Sequence, residues 1–179
     1  MVDKDRNLVS CTQTAVSLFG SRVVTPELGL LWNNGMIWFN PKPGAANSIA
    51  PWKRPLTNMA PLIALKDGAP ALSIGAPGGR RIMNCNAQVF LNVAQFGMGM
   101  QDAIAQPRVD VSTKHVWVDS RIAPETIEAL AAMGHPLEIV EETAADSRFA
   151  TPLGLLVNHE RGTLHSGVDV FRIAEARGY

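Results

Sequence analysis

The run Gly75-Ala76-Pro77-Gly78-Gly79-Arg80-Arg81 constrains this chain more than any other stretch. It follows an apolar strand pattern, Ala71-Leu72-Ser73-Ile74, and opens a long helical segment. A proline and two glycines between strand and helix leave backbone N–H groups uncovered by side chains. Those donors lie where a helix N-terminus already favours negative charge. Such a turn suits a bound carboxylate or the oxyanion of an acyl-transfer intermediate. Tight connections of this kind also occur without any ligand, so the run by itself defines only a candidate.

The surrounding pattern is that of an α+β protein. Residues 62–65 and 71–74 predict a hairpin around Lys66-Asp67-Gly68. The helix after Gly79 is predicted to run to about Phe96. Its apolar positions wrap so much of its surface that it should lie between a sheet and another layer. A short helix over 100–106 ends at Pro107, and alternating valines at 109, 111, 116 and 118 predict strands around Thr113-Lys114. Pro124 and Gly134 bracket a third helix. Further strands are predicted over 137–140, 153–157 and 163–166, and in the first third over 16–19, 22–25 and 29–32. Adjacent hairpins with helices grouped between them imply a layered α+β sandwich. From Asn33 to Ala60 the chain carries Pro41, Pro43, Pro51 and Pro55 with little periodicity. A loop of that length in a compact domain usually binds something.

With 179 residues the simplest organisation is one domain, residues 1–179, large enough for its own core. Charged residues make up 18% and the formal net charge is zero, so there is no electrostatic footprint for nucleic acid. An apolar content of 46% with so little charge suggests either a partner-covered surface or simply an oily domain. Residues 82–101 carry no charge, yet Asn84, Asn86, Gln88, Asn92 and Gln95 argue for a buried helix and against a membrane span. Cys11 and Cys85 are too few for a disulfide framework, and the polar start has no signal-peptide pattern, so the compartment stays open.

Residues 3–7 read as a hairpin turn with 8–14 as the outgoing strand, while only Met1 and Val2 precede it. The backbone of that strand needs a partner, so an arm upstream of this chain, or a substitute segment, is expected. Ser10, Cys11, Thr12 and Thr14 are possible nucleophiles without a nearby histidine. His115, His135, His159 and His165 show neither metal spacing nor a triad pattern. Arg80-Arg81 could pair with a carboxylate or merely solvate a helix start, and Asn33-Asn34 could be ordinary turn chemistry.

Several motifs occur in a telling order: Val2-Asp3-Lys4-Asp5, Thr12-Gln13-Thr14, Phe19-Gly20-Ser21, Leu31-Trp32-Asn33-Asn34-Gly35-Met36 and Pro41-Lys42-Pro43-Gly44. Lys53-Arg54-Pro55-Leu56-Thr57-Asn58-Met59, Pro77-Gly78-Gly79 and a terminal Gly178-Tyr179 follow. Together they resemble the small, C-terminal subunit of the gamma-glutamyltranspeptidase family, nearer to its amidohydrolase and cephalosporin-acylase-like members. The resemblance implies a four-layer αββα sandwich of the N-terminal-nucleophile hydrolase type, incomplete without the large subunit. It also implies a threonine nucleophile a few residues before Val2, exposed by self-cleavage, whose own amine acts as base. This chain starts beside that turn, so the isolated polypeptide is expected to be inactive.

The same resemblance gives roles to particular residues. Thr14 corresponds to a second threonine that orients the nucleophile, with Val16 where an asparagine is frequent. Gly78 and Gly79 correspond to the oxyanion pair. Asn34 belongs to the substrate-binding run, but Trp38 stands where an acidic residue would hold a donor's α-amino group. Thr57 and Asn58 replace a Ser-Ser pair that holds the α-carboxylate, and both can still donate hydrogen bonds. A pocket without the ammonium's partner discriminates against that group. The expected substrate is therefore a small-molecule amide bearing a carboxylate and no α-amino group. No metal or cofactor is implied, and neither nucleic acid nor a membrane is expected as a partner. The large subunit is the expected partner. The alternative is a non-catalytic remnant that binds carboxylates or self-associates.

Overall fold

A computed structural model describes residues 1–146 and 148–178; Tyr179 of the terminal motif lies outside them. The chain divides into two compact units, Gln13–Asn58, and Met1–Thr12 with Met59–Tyr179.

In the Gln13–Asn58 unit, strands β1 (Val24–Thr25) and β2 (Leu30–Leu31) form a two-residue antiparallel ladder. A 3-10 turn follows at Gly35–Trp38. The rest is loop, ordered by side chains. Asn40 bridges to Ser48, and the buried Ser48 hydroxyl donates to Lys42 O while accepting from Ala45 N–H. The predicted strand over 16–19 is absent: those residues turn, Leu18 and Phe19 stand exposed, and no strand among the described residues pairs with them.

In the larger unit, β3 (Leu62–Lys66) and β4 (Ala69–Gly75) form the predicted hairpin. Its turn places Asp67 and Gly68 both at positive φ, as a two-residue hairpin needs. The chain continues through α1 (Ile82–Ala94), α2 (Met100–Ala105), β5 (Val109–Asp110), β6 (Val116–Asp119), α3 (Pro124–Ala132) and β7 (Leu137–Val140). It closes with the hairpin of β8 (Leu153–Asn158) and β9 (Thr163–Val168). The sheet β3-β4-β8-β9 is antiparallel throughout. In β5-β6-β7, α3 makes the crossover to the parallel strand β7. The α+β class is thus met by antiparallel hairpins carrying separate helices.

The core forms where β4 meets α1 and α2. Leu72 and Ile74 pack with Ile82, Cys85 and Val89 and with Met100, Ala103 and Ile104. The outer face of α1 departs from expectation: Met83 and Leu91 are exposed, so one face of the helix is covered in this chain. The predicted strand over 8–14 shrinks to a single bridge, Val2 to Leu8, backed by paired hydrogen bonds between Met1 and Val9. Among the described residues no ladder continues beyond it.

Candidate active site

The strand–turn–helix run folds as its composition requires. β4 ends at Gly75, the turn passes through buried Ala76 and through Pro77, and Gly78 takes φ 153° and ψ 9°. A Cβ at Gly78 would lie 2.4 Å from the Ala150 Cβ and 2.6 Å from its Cα, so only glycine fits. Gly79 follows at φ 64°, opening a short 3-10 turn that feeds α1. Among the described residues the N–H groups of Gly78 and Gly79 have no hydrogen-bond acceptor. Two adjacent, uncommitted donors at one turn can receive an anion.

The carbonyls of the same turn are, by contrast, engaged. Pro77 O accepts the Thr151 N–H at 3.0 Å. Gly78 O accepts both the Arg81 N–H at 3.4 Å and the Arg81 Nε at 3.1 Å. Arg81 Nη1 reaches Arg148 O at 2.6 Å. This guanidinium, one of two offered by the sequence as carboxylate partners, is bound to main-chain carbonyls.

Behind the turn lies a polar cluster that no periodicity announces. Arg108, 2% exposed, donates to Ile104 O at 2.7 Å and to Ala150 O at 3.3 Å. It also pairs with Asp169 at 3.3 Å and Glu142 at 3.5 Å. Burial raises the Glu142 carboxyl above its ordinary range, against the pull of Arg108. Cys85 Sγ also faces Ala150 O, at 3.8 Å, and burial pushes that thiol up to about 12. A cleft of about 860 Å³ borders Ser73 and Gly75, where the turn begins, with Asp3, Ser10 and Ser166 also on its wall. Asn7 donates to the Asp3 carboxylate from side chain and backbone, holding it below the usual range.

The remaining sequence candidates belong to the Gln13–Asn58 unit, which the structure builds around asparagines. Thr14 is exposed and its Oγ1 accepts the Val16 N–H at 2.9 Å. Asn34 takes the Ser17 N–H at 3.0 Å, donates to Ser17 Oγ at 2.7 Å, and its own N–H reaches Ala15 O. Asn34 is thereby tied to Ala15 and Ser17, and both ends of its side-chain amide are occupied by protein. Trp38 is half-buried, and its carbonyl accepts from Asn47 Nδ2 at 2.7 Å. Asn47 Oδ1 in turn accepts the Leu56 N–H at 3.1 Å, just before exposed Thr57 and half-buried Asn58. Asn47, which sequence reasoning overlooked, ties the Trp38 turn to the Thr57-Asn58 segment. Its only signal was an asparagine inside a proline-rich loop. Among the described residues no group of histidine, cysteine and acidic side chains could hold a metal ion, and no helix is long and apolar enough to cross a membrane.

A helix-backed antiparallel sheet leading into a Gly-Gly turn is the fold of an N-terminal-nucleophile hydrolase, as its structural neighbours bear out. The family model for gamma-glutamyltranspeptidase matches residues 1–175, and the chain belongs to that family. It is 41% identical, over 135 residues, to an acylase ACY 1 proenzyme of Pseudomonas sp. (strain V22), covering 75% of this chain and 24% of that protein. It is 32% identical to a glutathione hydrolase proenzyme of Bacillus subtilis subsp. natto, covering 88% of this chain and 28% of that protein. Among solved structures, the gamma-glutamyltranspeptidase from Pseudomonas nitroreducens complexed with L-DON superposes with a TM-score of 0.78 at 31% identity, covering 100% of this chain and 97% of that one. The chain thus spans about a quarter of the length of the curated relatives it matches.

Proposed function

We propose that this chain is the small-subunit part of an amide hydrolase or acyltransferase that takes a carboxylate-bearing acyl donor lacking an α-amino group. The observation that carries the reading is the Gly78-Gly79 turn, whose two N–H groups are uncommitted while its carbonyls are tied back. In this reading a threonine preceding the Val2 turn in the intact protein adds its hydroxyl oxygen to the amide carbonyl. Its own α-amine takes the hydroxyl proton. The carbonyl oxygen becomes an oxyanion that Gly78 and Gly79 stabilise. Collapse breaks the C–N bond, the leaving amine takes the proton, and an acyl ester remains. Water or a second amine then releases the acyl group and restores the threonine. Thr14 would orient that threonine, and Thr57 and Asn58 would hold the donor carboxylate. A large subunit of the same precursor would complete the site, consistent with relatives that are proenzymes several times longer than this chain.

Trp38 and Asn34 would line the acyl pocket. An indole offers no carboxylate to an ammonium, so a γ-glutamyl donor would leave its charged amine unpaired. Two relatives at 41% identity are acylase proenzymes, which supports an acylase reading of the site. The test is a substrate panel on the full protein, comparing kcat/KM for a glutaryl anilide and a γ-glutamyl anilide. The glutaryl donor is expected to win by roughly 100-fold. Trp38→Asp is expected to narrow or reverse that ratio by at least about tenfold. A native preference for the γ-glutamyl donor would overturn the specificity, and absence of any amide cleavage would overturn the reading as a whole.

A further inference from the structure

The two donors of the Gly78-Gly79 turn are aimed from behind. In a trans, planar peptide the N–H points opposite to the C=O of the same unit. The direction of the Gly78 N–H is therefore fixed by whatever holds Pro77 O, and that of the Gly79 N–H by whatever holds Gly78 O. Pro77 O is held by the Thr151 N–H, a main-chain bond between the turn that follows β4 and the segment that precedes β8. Gly78 O is held by Arg81 twice, through its N–H at 3.4 Å and its Nε at 3.1 Å.

The second lock matters more than the first. The Gly78–Gly79 peptide has no Cβ on either flank, so it is the peptide in this turn most free to rotate. Rotation by half a turn would carry the Gly79 N–H away from any bound oxyanion. The guanidinium resists this because its Nη1 is anchored separately on Arg148 O at 2.6 Å, on the segment that carries Ala150. Ala150 is the residue against which Gly78 packs. A planar fork spanning two carbonyls has no lysine equivalent, and hydrogen bonds from a charged donor are stronger than neutral ones.

We infer that Arg81 is a positioning residue: its guanidinium clamps the Gly78 and Arg148 carbonyls so that the Gly79 N–H faces the acyl oxygen. This rests on the acyl-transfer reading given above. The assignment differs from substrate recognition in its kinetic signature. A residue that aims an oxyanion donor changes kcat and leaves KM in place, whereas a residue that binds the donor carboxylate changes KM.

The experiment measures kcat and KM for the preferred amide in the full protein carrying Arg81→Gln or Arg81→Lys, with thermal midpoints recorded in parallel. Losing one oxyanion donor outright lowers kcat by 100- to 1000-fold, so misdirecting one is expected to lower it about 10- to 100-fold. KM should stay within about twofold, and millimolar guanidinium should restore part of kcat in Arg81→Gln. The lysine variant should lie between the two, since one ammonium can meet one carbonyl but not both. An unchanged kcat, or a rise in KM alone, overturns the assignment while leaving the acyl-transfer reading intact. Should Arg81→Gln lose its folding transition, Arg81→Lys decides by the same kcat and KM comparison. If the unsubstituted protein cleaves no amide, both readings fall together.

Discussion

Val16 carries the clearest local tension in the chain. It adopts φ 74°, a left-handed backbone that costs a β-branched residue roughly 1–2 kcal/mol. Its N–H is held there by Thr14 Oγ1. Asparagine tolerates this conformation far better, and asparagine is the residue the family resemblance leads one to expect at this position. Val16→Asn should raise stability by about 1 kcal/mol, read as a shift in denaturant midpoint at unchanged slope. A loss of stability would mean that the half-buried valine methyls pack for more than the strain costs. The two cysteines offer a second check. Cys11 is exposed and Cys85 is buried with its thiol pushed up to about 12. A thiol titration of the native protein should label Cys11 and spare Cys85 until the chain unfolds. Because the fold holds the Cys85 proton more tightly than the ordinary value of 9.0, its contribution to stability is intact below that pH and declines as pH climbs toward 12.

Among the elements, α2 shows how six residues become a fixed helix. Its length is too short for intrinsic stability. Gln101 extends the ladder of β9 instead, donating from Nε2 to Val168 O and accepting the Val168 N–H, both at 3.0 Å. The approach is so close that a Cβ on Gly167 would sit 2.8 Å from the Met100 and Gln101 backbone. Gly167→Ala should therefore push α2 off the sheet and cost about 1–3 kcal/mol, visible as a lower thermal midpoint. An unchanged midpoint would show that the helix can slide without loss. The hairpins and helices themselves were legible from turn chemistry and period, as in Asp67-Gly68 and in Pro124 at the head of α3. The strands expected over 8–14 and 16–19 were not formed, because apolar alternation does not supply a neighbouring strand.

Across the larger unit, one buried cation joins otherwise separate pieces. Arg108 precedes β5, Glu142 follows β7, Asp169 follows β9, and Ala150 O belongs to the segment under the Gly78 turn. All three charged side chains are at least 95% buried. Breaking such a group strands the surviving charges in a dry interior. Arg108→Ala should thus destabilise the protein by about 3–5 kcal/mol in urea unfolding, far more than an exposed pair such as Arg148 with Asp146. A loss below about 1 kcal/mol would show that the cluster contributes little to holding these segments together. The same guanidinium holds Ala150 O, and Ala150 is the residue that a side chain at Gly78 would strike.

What the sequence determined by itself were the features written in consecutive residues. Those include the Pro-Gly-Gly turn between strand and helix, the hairpin loops, the helix boundaries and the ordered motifs that place the chain in its family. Only the tertiary structure decided why Gly78 must be glycine, since Ala150 is the residue a side chain there would strike. It also decided that Arg81 meets main-chain carbonyls, one of them on a residue 67 positions away. The Arg108 cluster and the Asn47 bridge belong to the same group. Periodicity and turn chemistry record how a residue relates to its immediate neighbours in the chain. Partners supplied by distant segments leave no trace there, because the approach that creates them exists only after folding.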